Sequence, residues 1–299
     1  MDHAPYVLRQ PLAFAHSVID RAAERRRDDR WLAAAWADPR TRVLVVADGA
    51  APMADGRLVL ISPSESPEGE RFLLGVDGDG AAYFAVHLAG PHPDARAVGL
   101  RRASLSLDDR DGGLLVHAVA LANWHATHTH CSRCGAPTVV AEAGHLRRCP
   151  SDGADHYPRT DPVIIVLVVD EVDRCLLGRH PDWPEGRYST LAGFVEPGET
   201  PEQALVREVG EETRVAVTSC TYAGSQPWPF PSNLMLGFYA TAAGETPKPD
   251  GQEISDARWF SRAELAAAIQ ARELIVPPSV AISRRLIEGW YGSVLPATE

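Results

Sequence analysis

The stretch Gly193–Val215, GFVEPGETPEQALVREVGEETRV, leaves this chain the fewest choices. Thr200 offers a side-chain oxygen for a helix N-cap, Pro201 suits the first helical position and Gln203 completes a capping box. A helix should therefore begin there and run to about Thr213. The preceding EPGE is a Pro-Gly turn that projects Glu199 toward the helix. Along the helix Glu208, Glu211 and Glu212 fall at i, i+3 and i+4, on one face, while Leu205, Val206 and Val209 form the adjacent buried face. A solvated glutamate face is the plainer alternative for the helix taken alone. Crowded carboxylates repel one another unless a cation neutralises them. Hard oxygen ligands of this kind suit Mg2+ or Mn2+, which in turn bind and polarise a phosphate.

Length and patterning place this helix in a larger plan. A chain of 299 residues with 45% hydrophobic content is long enough for roughly two domains. Residues 1–124 combine a helix expected from Ser17 to Ala37, whose RRRDDR run reads as a solvated face, with the strand-like runs TRVLVVADG, GRLVLIS and AAYFAVHL. Residues 125–157 form a compact insert rich in His, Cys and Gly. From 158 to 299 the apolar runs VIIVLVV, LMLGFYATA and ARWF alternate with helix signals, among them a capping box at Ser261, which is an α/β pattern. A net charge of −11 provides no broad cationic surface, so contact with nucleic acid has to be local. No basic-then-apolar leader opens the chain and no apolar run could span a bilayer, so the expectation is a cytoplasmic protein with no membrane partner.

Five cysteines are an odd number for a disulfide framework. Cys175 and Cys220 lie in apolar, strand-like surroundings and read as small core residues. Cys131, Cys134 and Cys149 have the spacing of a zinc ribbon, two knuckles that bring four ligands to one tetrahedral ion. The fourth position falls on Asp152, with His156 and His145 as alternatives. Four protein ligands leave no open position for a substrate water, so such a Zn2+ stabilises the fold.

SQPWPFPSN, Ser225 to Asn233, holds three prolines and two large aromatics. Pro227, Pro229 and Pro231 fix φ and remove donors, so the segment should be a stiff, extended loop. It either presents Trp228 and Phe230 to a flat ligand or is a rigid connector with both rings tucked into a core.

Gly193, Glu199 and the run Arg207–Glu212 match the signature of the Nudix hydrolases at the required spacings. One departure is Arg214, where that signature has a glycine. A proline-aromatic loop after the box and a zinc ribbon before it resemble the NAD(H) pyrophosphatase branch of that superfamily, over about Cys131 to Glu299. The resemblance implies an α/β protein: an N-terminal α+β domain, a zinc ribbon and a C-terminal α/β/α sandwich on a mixed sheet. It implies metal-dependent hydrolysis of NAD(H) to nicotinamide mononucleotide and AMP, together with removal of the NAD cap from RNA 5′ ends; ADP-ribose or dinucleoside polyphosphates are the alternative substrates. Mg2+ or Mn2+ would be held by Glu208, Glu211 and Glu212 with Glu199 and Glu253, and Glu212, then Glu253, would act as general base. Phe194, Gln226, Trp228 and Asn233 are implied as ligand contacts, joined in a homodimer by Tyr157 and Ile165 of the second subunit. Asn233 follows Ser232 where the branch has a variable residue and then serine.

Overall fold

The structure, a computed structural model, describes residues 6–296. It divides into two compact units. One comprises the chain up to Ala13, Asp161–Pro227 and everything from Asn233; the other comprises Phe14–Thr160 together with Trp228–Ser232. Among the described residues no helix is long and apolar enough to cross a membrane.

The first unit is built on β1 (Asp161–Asp170), β2 (Cys175–Arg179), β3 (Leu191–Phe194), β4 (Val217–Trp228), β5 (Asn233–Ala242) and β6 (Asp256–Phe260). The sheet order is β4-β5-β1-β2-β6, with β3 also paired to β1. β1 runs parallel to β5 and antiparallel to β2 and β3, so the sheet is mixed. Its sequence DPVIIVLVVD is buried from Val163 onward, as expected of a central strand covered on both faces. Ile164, Val166 and Val168 pack with Ala204, Leu205 and Val209 of α1 (Pro201–Thr213). α2 (Arg262–Gln270) follows β6, and α3 (Ile282–Tyr291) follows α2. α3 covers the opposite face of the sheet: Tyr239 Oη of β5 donates to Leu286 O at 3.1 Å, and Ile282 lies against Gly237. The result is an α/β/α sandwich.

The second unit carries strands Arg42–Val46, Ala82–His87 and Glu70–Val76 in that spatial order, and a smaller sheet of Arg57–Leu58, Ala50–Ala54 and Ala97–Gly99. Leu114, Leu115 and Val119 of the helix Asp109–Thr127 close the core over Leu44, Val46, Phe72 and Leu74. The expected helix from Ser17 to Ala37 is corrected here. Only Asp29–Ala37 is α-helical, capped by Asp28 Oδ1, which accepts from Trp31 N at 2.9 Å. Upstream, Asp20 pairs with Val76 through two backbone hydrogen bonds, Ala22 adopts a left-handed φ of 46° and Ala23–Arg25 make only a single 3-10 turn, so the bridge and the left-handed residue keep an α-helix from extending back to Ser17. GRLVLIS is strand only at Arg57–Leu58, with Ile61 bridging to Val43. The ribbon forms a three-stranded antiparallel sheet of Val139–Ala141, Leu146–Arg148 and Asp155–His156.

Candidate active site and metal centres

α1 begins as its residues dictate. Thr200 Oγ1 accepts from Gln203 N at 3.3 Å while Gln203 Oε1 accepts from Thr200 N at 2.9 Å. This start sets the helix phase, and with it the carboxylate face. Carboxylate oxygens of Glu208, Glu212 and Glu253 lie within 4.8 Å of one another. Glu208 and Glu212 come from α1; Glu253 comes from the turn before β6, where Asp250 Oδ1 accepts from Gln252 N, Glu253 N and Ile254 N. Asp250 N in turn donates to Glu212 O at 3.3 Å, tying that turn to the helix end.

Glu212 is the most enclosed of the three. Its Oε2 is buried without a hydrogen-bond partner, and burial followed by the charges of Glu208, Glu253, Asp250 and Glu211 pushes its carboxyl up to about 8. Burial also raises Glu208, against the pull of Arg207. An orphaned carboxylate oxygen beside two more carboxylates fits a hard divalent cation, which would satisfy the oxygen and cancel the repulsion.

Arg207 organises the rim. Its guanidinium donates to Glu199 through Nε at 2.7 Å and Nη2 at 2.8 Å, to Glu208 at 2.9 Å, to Glu211 at 3.1 Å and to Phe194 O at 2.9 Å. The Arg207 side chain, with Glu196 N beside it, holds Glu199 down to about 2. Glu199 is thus engaged by Arg207, and Glu211, with a side chain 62% exposed, sits outside the 4.8 Å group.

The ribbon carries the second cluster. Donor atoms of Cys131, Cys134, Cys149 and Asp152 lie within 4.8 Å of one another. Cys134 Sγ is 3.5 Å from Cys149 Sγ, and Cys131 Sγ is 3.5 Å from Asp152 Oδ2. A tetrahedral ion at about 2.3 Å from sulfur demands edges of about 3.8 Å, close to these spacings. The two knuckles repeat one geometry: Gly135 N donates to Cys131 O and Gly153 N to Cys149 O, each at 2.9 Å, with both glycines in the left-handed region. Asp152 therefore stands where the first knuckle has Cys134. His145 points elsewhere, its Nε2 on Leu73 O at 2.8 Å, and His156 is outside the four-donor group. These residues fit a structural Zn2+.

The remaining expected ligand contacts are divided between the units. Phe194, 57% exposed, Gln226, Ile165 and Asn233 belong to the first; Tyr157, 65% exposed, and Trp228 belong to the second. Two expectations change. Gln226 is wholly buried, its Nε2 donating to Ala13 O and Val280 O and its Oε1 accepting from Ile282 N, so its side chain braces the unit and has no group left for a ligand. Ile165 is 6% exposed within β1, a core residue and not a surface one. Asn233 opens β5 opposite Asp161. Phe230 packs into the core of the second unit, as the connector reading holds, while Trp228 stays partly exposed. Arg101 and Asn123, which contact this loop, carry no signal in the sequence, the first being one of two adjacent arginines and the second a polar residue in a long apolar stretch.

The layered mixed sheet, the capped helix and the three converging glutamates define a NUDIX hydrolase. Residues 158–277 match the NUDIX domain, 126–157 the NADH pyrophosphatase zinc ribbon domain and 25–124 the NADH pyrophosphatase-like rudimentary NUDIX domain. An NAD-capped RNA hydrolase NudC of Mycobacterium bovis (strain BCG / Pasteur 1173P2) is 40% identical over 296 residues, spanning 91% of this chain and 92% of that protein. An NAD-capped RNA hydrolase NUDT12 of Homo sapiens is 38% identical over 234 residues, 73% of this chain and 49% of that protein. A crystal structure of a NUDIX hydrolase from Nitrosomonas europaea aligns with a TM-score of 0.44 at 24% identity, covering 57% of this chain and 96% of that one. The chain belongs to the zinc-ribbon NADH pyrophosphatase family of the NUDIX hydrolases.

Proposed function

We infer that this protein hydrolyses the pyrophosphate bond of NAD(H), with one water consumed and nicotinamide mononucleotide and AMP released, and that it removes the same dinucleotide cap from RNA 5′ ends. The observation that carries the reading is the buried, unpartnered Glu212 oxygen converging with Glu208 and Glu253. Family membership and the names of the relatives supply the substrate class.

Glu208, Glu212 and Glu253 would hold Mg2+ or Mn2+, which would supply charge neutralisation of the diphosphate and acidify water. The chain's own residues supply the rest. Glu212, the most enclosed of the three carboxylates and set between Glu208 and Glu253, receives the proton of the attacking water. Glu253 is second in line for that role. Arg207 keeps Glu199, Glu208 and Glu211 in fixed directions, and Glu211 and Glu199 are the outer members of the acidic set. Phe194 offers an exposed face for stacking a ring, and Trp228 a partly exposed ring on a loop that loses little entropy on binding. A net charge of −11 disfavours strong binding of the RNA body and leaves recognition of the cap itself. The reading includes a cytoplasmic homodimer, checked by sedimentation, in which the exposed Tyr157 serves the neighbouring site.

Turnover of NADH, NAD-capped RNA and ADP-ribose by the wild type, Glu212→Gln and Trp228→Ala tests this. Glu212→Gln should slow all three by orders of magnitude. Trp228→Ala should lower kcat/KM about tenfold to hundredfold on NADH and capped RNA, the worth of one aromatic stack, and leave ADP-ribose nearly unchanged. ADP-ribose turned over faster than NADH by the wild type would overturn the substrate assignment.

A further inference from the structure

The loop after Pro227 lacks the donors to satisfy its own carbonyls. Pro227, Pro229 and Pro231 have no N–H, and Phe230 N turns back onto Trp228 O at 2.7 Å. Two carbonyls are met by one side chain. Asn123 Nδ2, near the end of the helix Asp109–Thr127, donates to Pro229 O at 3.0 Å and to Pro231 O at 3.1 Å. An amide nitrogen has two hydrogens, so this uses its full capacity. The two carbonyls flank Phe230, and fixing both fixes the turn that carries its ring.

That ring is the loop's anchor. Phe230 packs against the core that contains Leu100, Ala103 and Leu114, and the Arg101 guanidinium stands 4.2 Å from its centre. Trp228 meets Phe230 edge to face with centroids 5.1 Å apart, and the same guanidinium lies 5.5 Å from the Trp228 ring. The direction of Trp228 is therefore inherited from Phe230, Arg101 and the Asn123 clamp, all three on the rudimentary unit.

We propose that Asn123 is the positioning residue of the specificity loop, and that the N-terminal unit serves this enzyme as the frame that holds the Trp228 ring in place. The proposal rests on the reading that Trp228 recognises the nicotinamide half of the substrate. Asn123 touches no reacting atom; it acts through two carbonyls and a ring.

The test uses the full chain with Asn123→Ala and Asn123→Asp, the second having the same shape with no donor to offer. Both should lower kcat/KM on NADH about tenfold and on ADP-ribose less than about twofold, because only the nicotinamide side depends on the loop. Hydrogen exchange of the peptide spanning Gln226 to Asn233 should accelerate about tenfold in both, while the rest of the Asp109–Thr127 helix stays protected. Faster exchange with NADH selectivity kept, unchanged exchange, or equal loss on both substrates overturns the proposal. Trp228→Ala runs in parallel: if it discriminates the substrates and the Asn123 variants do not, the positioning role fails and the reading of Trp228 stands. If Trp228→Ala itself fails to discriminate, the reading falls and the proposal falls with it.

Discussion

Gly193 of β3 lies against the Glu208 side chain of α1, and a Cβ built on it would fall inside the Glu208 carboxylate. The obstacle is the end of a flexible side chain and not backbone, so Gly193→Ala should cost little stability. It should displace Glu208 instead, and with it one corner of the acidic cluster. We expect turnover of NADH to fall at least about a hundredfold with thermal unfolding shifted only slightly, a loss on the scale of removing an electrostatic contributor to the transition state. Activity above a tenth of the wild type would show that Glu208 is dispensable. Arg214 is the converse case. The family signature has glycine there, and the backbone shows why: φ is 59°, the left-handed C-cap that ends α1. Arg214→Gly should raise stability by about 0.5–1 kcal/mol, the strain relieved less the extra freedom given to the unfolded chain, read as a higher urea midpoint. Signature matching singles out both positions, yet only geometry says what each does. Gln226 shows the opposite limit, since a polar residue beside an aromatic loop reads as a ligand contact until its bonds to Ala13, Val280 and Ile282 are seen.

Elements are legible when their signals are local. α1 announces itself through Thr200, Pro201 and Gln203, and β1 through an unbroken apolar run. The helix Asp109–Thr127 does not, because Gly112 and Gly113 lower its propensity. Gly113 is small because Ser17 packs onto it, with Ser17 Oγ 3.1 Å from where a Cβ would be. The same helix yields a pH dependence. It buries His117 and His125 beside His145 of the ribbon, whose ring is 5.2 Å from that of His117. Arg21, Arg26 and Arg147 add positive charge around them, His87 stands near His125, and Glu70 opposes. Burial holds all three imidazoles below the ordinary 6.5, His145 down to about 4. A folded-state value below the unfolded one means that the unfolded chain takes up protons first. The histidine contribution to stability is therefore whole above about pH 6.5 and declines as pH falls toward 4, with His145 alone accounting for about 3 kcal/mol over that span. Glu212, raised to about 8 by burial, contributes in the opposite direction over the same span, so the histidine decline is read as the difference in urea midpoint between the wild type and a His145 variant from pH 7 to pH 4.5. His145→Gln, which keeps a donor for Leu73 O, should flatten the decline; equal slopes for both proteins would rule the residue out.

At the scale of the whole molecule the chain crosses between its two units four times, at Ala13, Thr160, Pro227 and Ser232. Sequence patterning sees the change of character near 124 and 157. It cannot see that the first residues belong with the last, because their contacts are all long-range. Tyr6 Oη donates to Asp173 Oδ1 at 2.6 Å and its ring lies 5.3 Å from Tyr239; Leu12 is buried near Gly224; Ala13 O accepts from Gln226. A fragment of residues 158–299 therefore keeps every carboxylate of the site and loses this strap. Losing the buried Leu12 and the packing of Tyr6 on Tyr239, and leaving Gln226 short of an acceptor, should cost the fragment about 2–4 kcal/mol. Fusing residues 1–13 to its front through a flexible linker of about twenty residues should return most of that. The strapped fragment still lacks Asn123, Arg101 and the core that seats Phe230. It should hydrolyse ADP-ribose at a measurable rate and show no preference for NADH, separating what the strap does for stability from what the rudimentary unit does for specificity. Denaturation midpoints of the bare and strapped fragments decide the first half, and their NADH to ADP-ribose ratios decide the second. A bare fragment as stable as the strapped one would reduce the strap to a passive tail, and a strapped fragment that still prefers NADH would take the positioning of Trp228 away from the N-terminal unit.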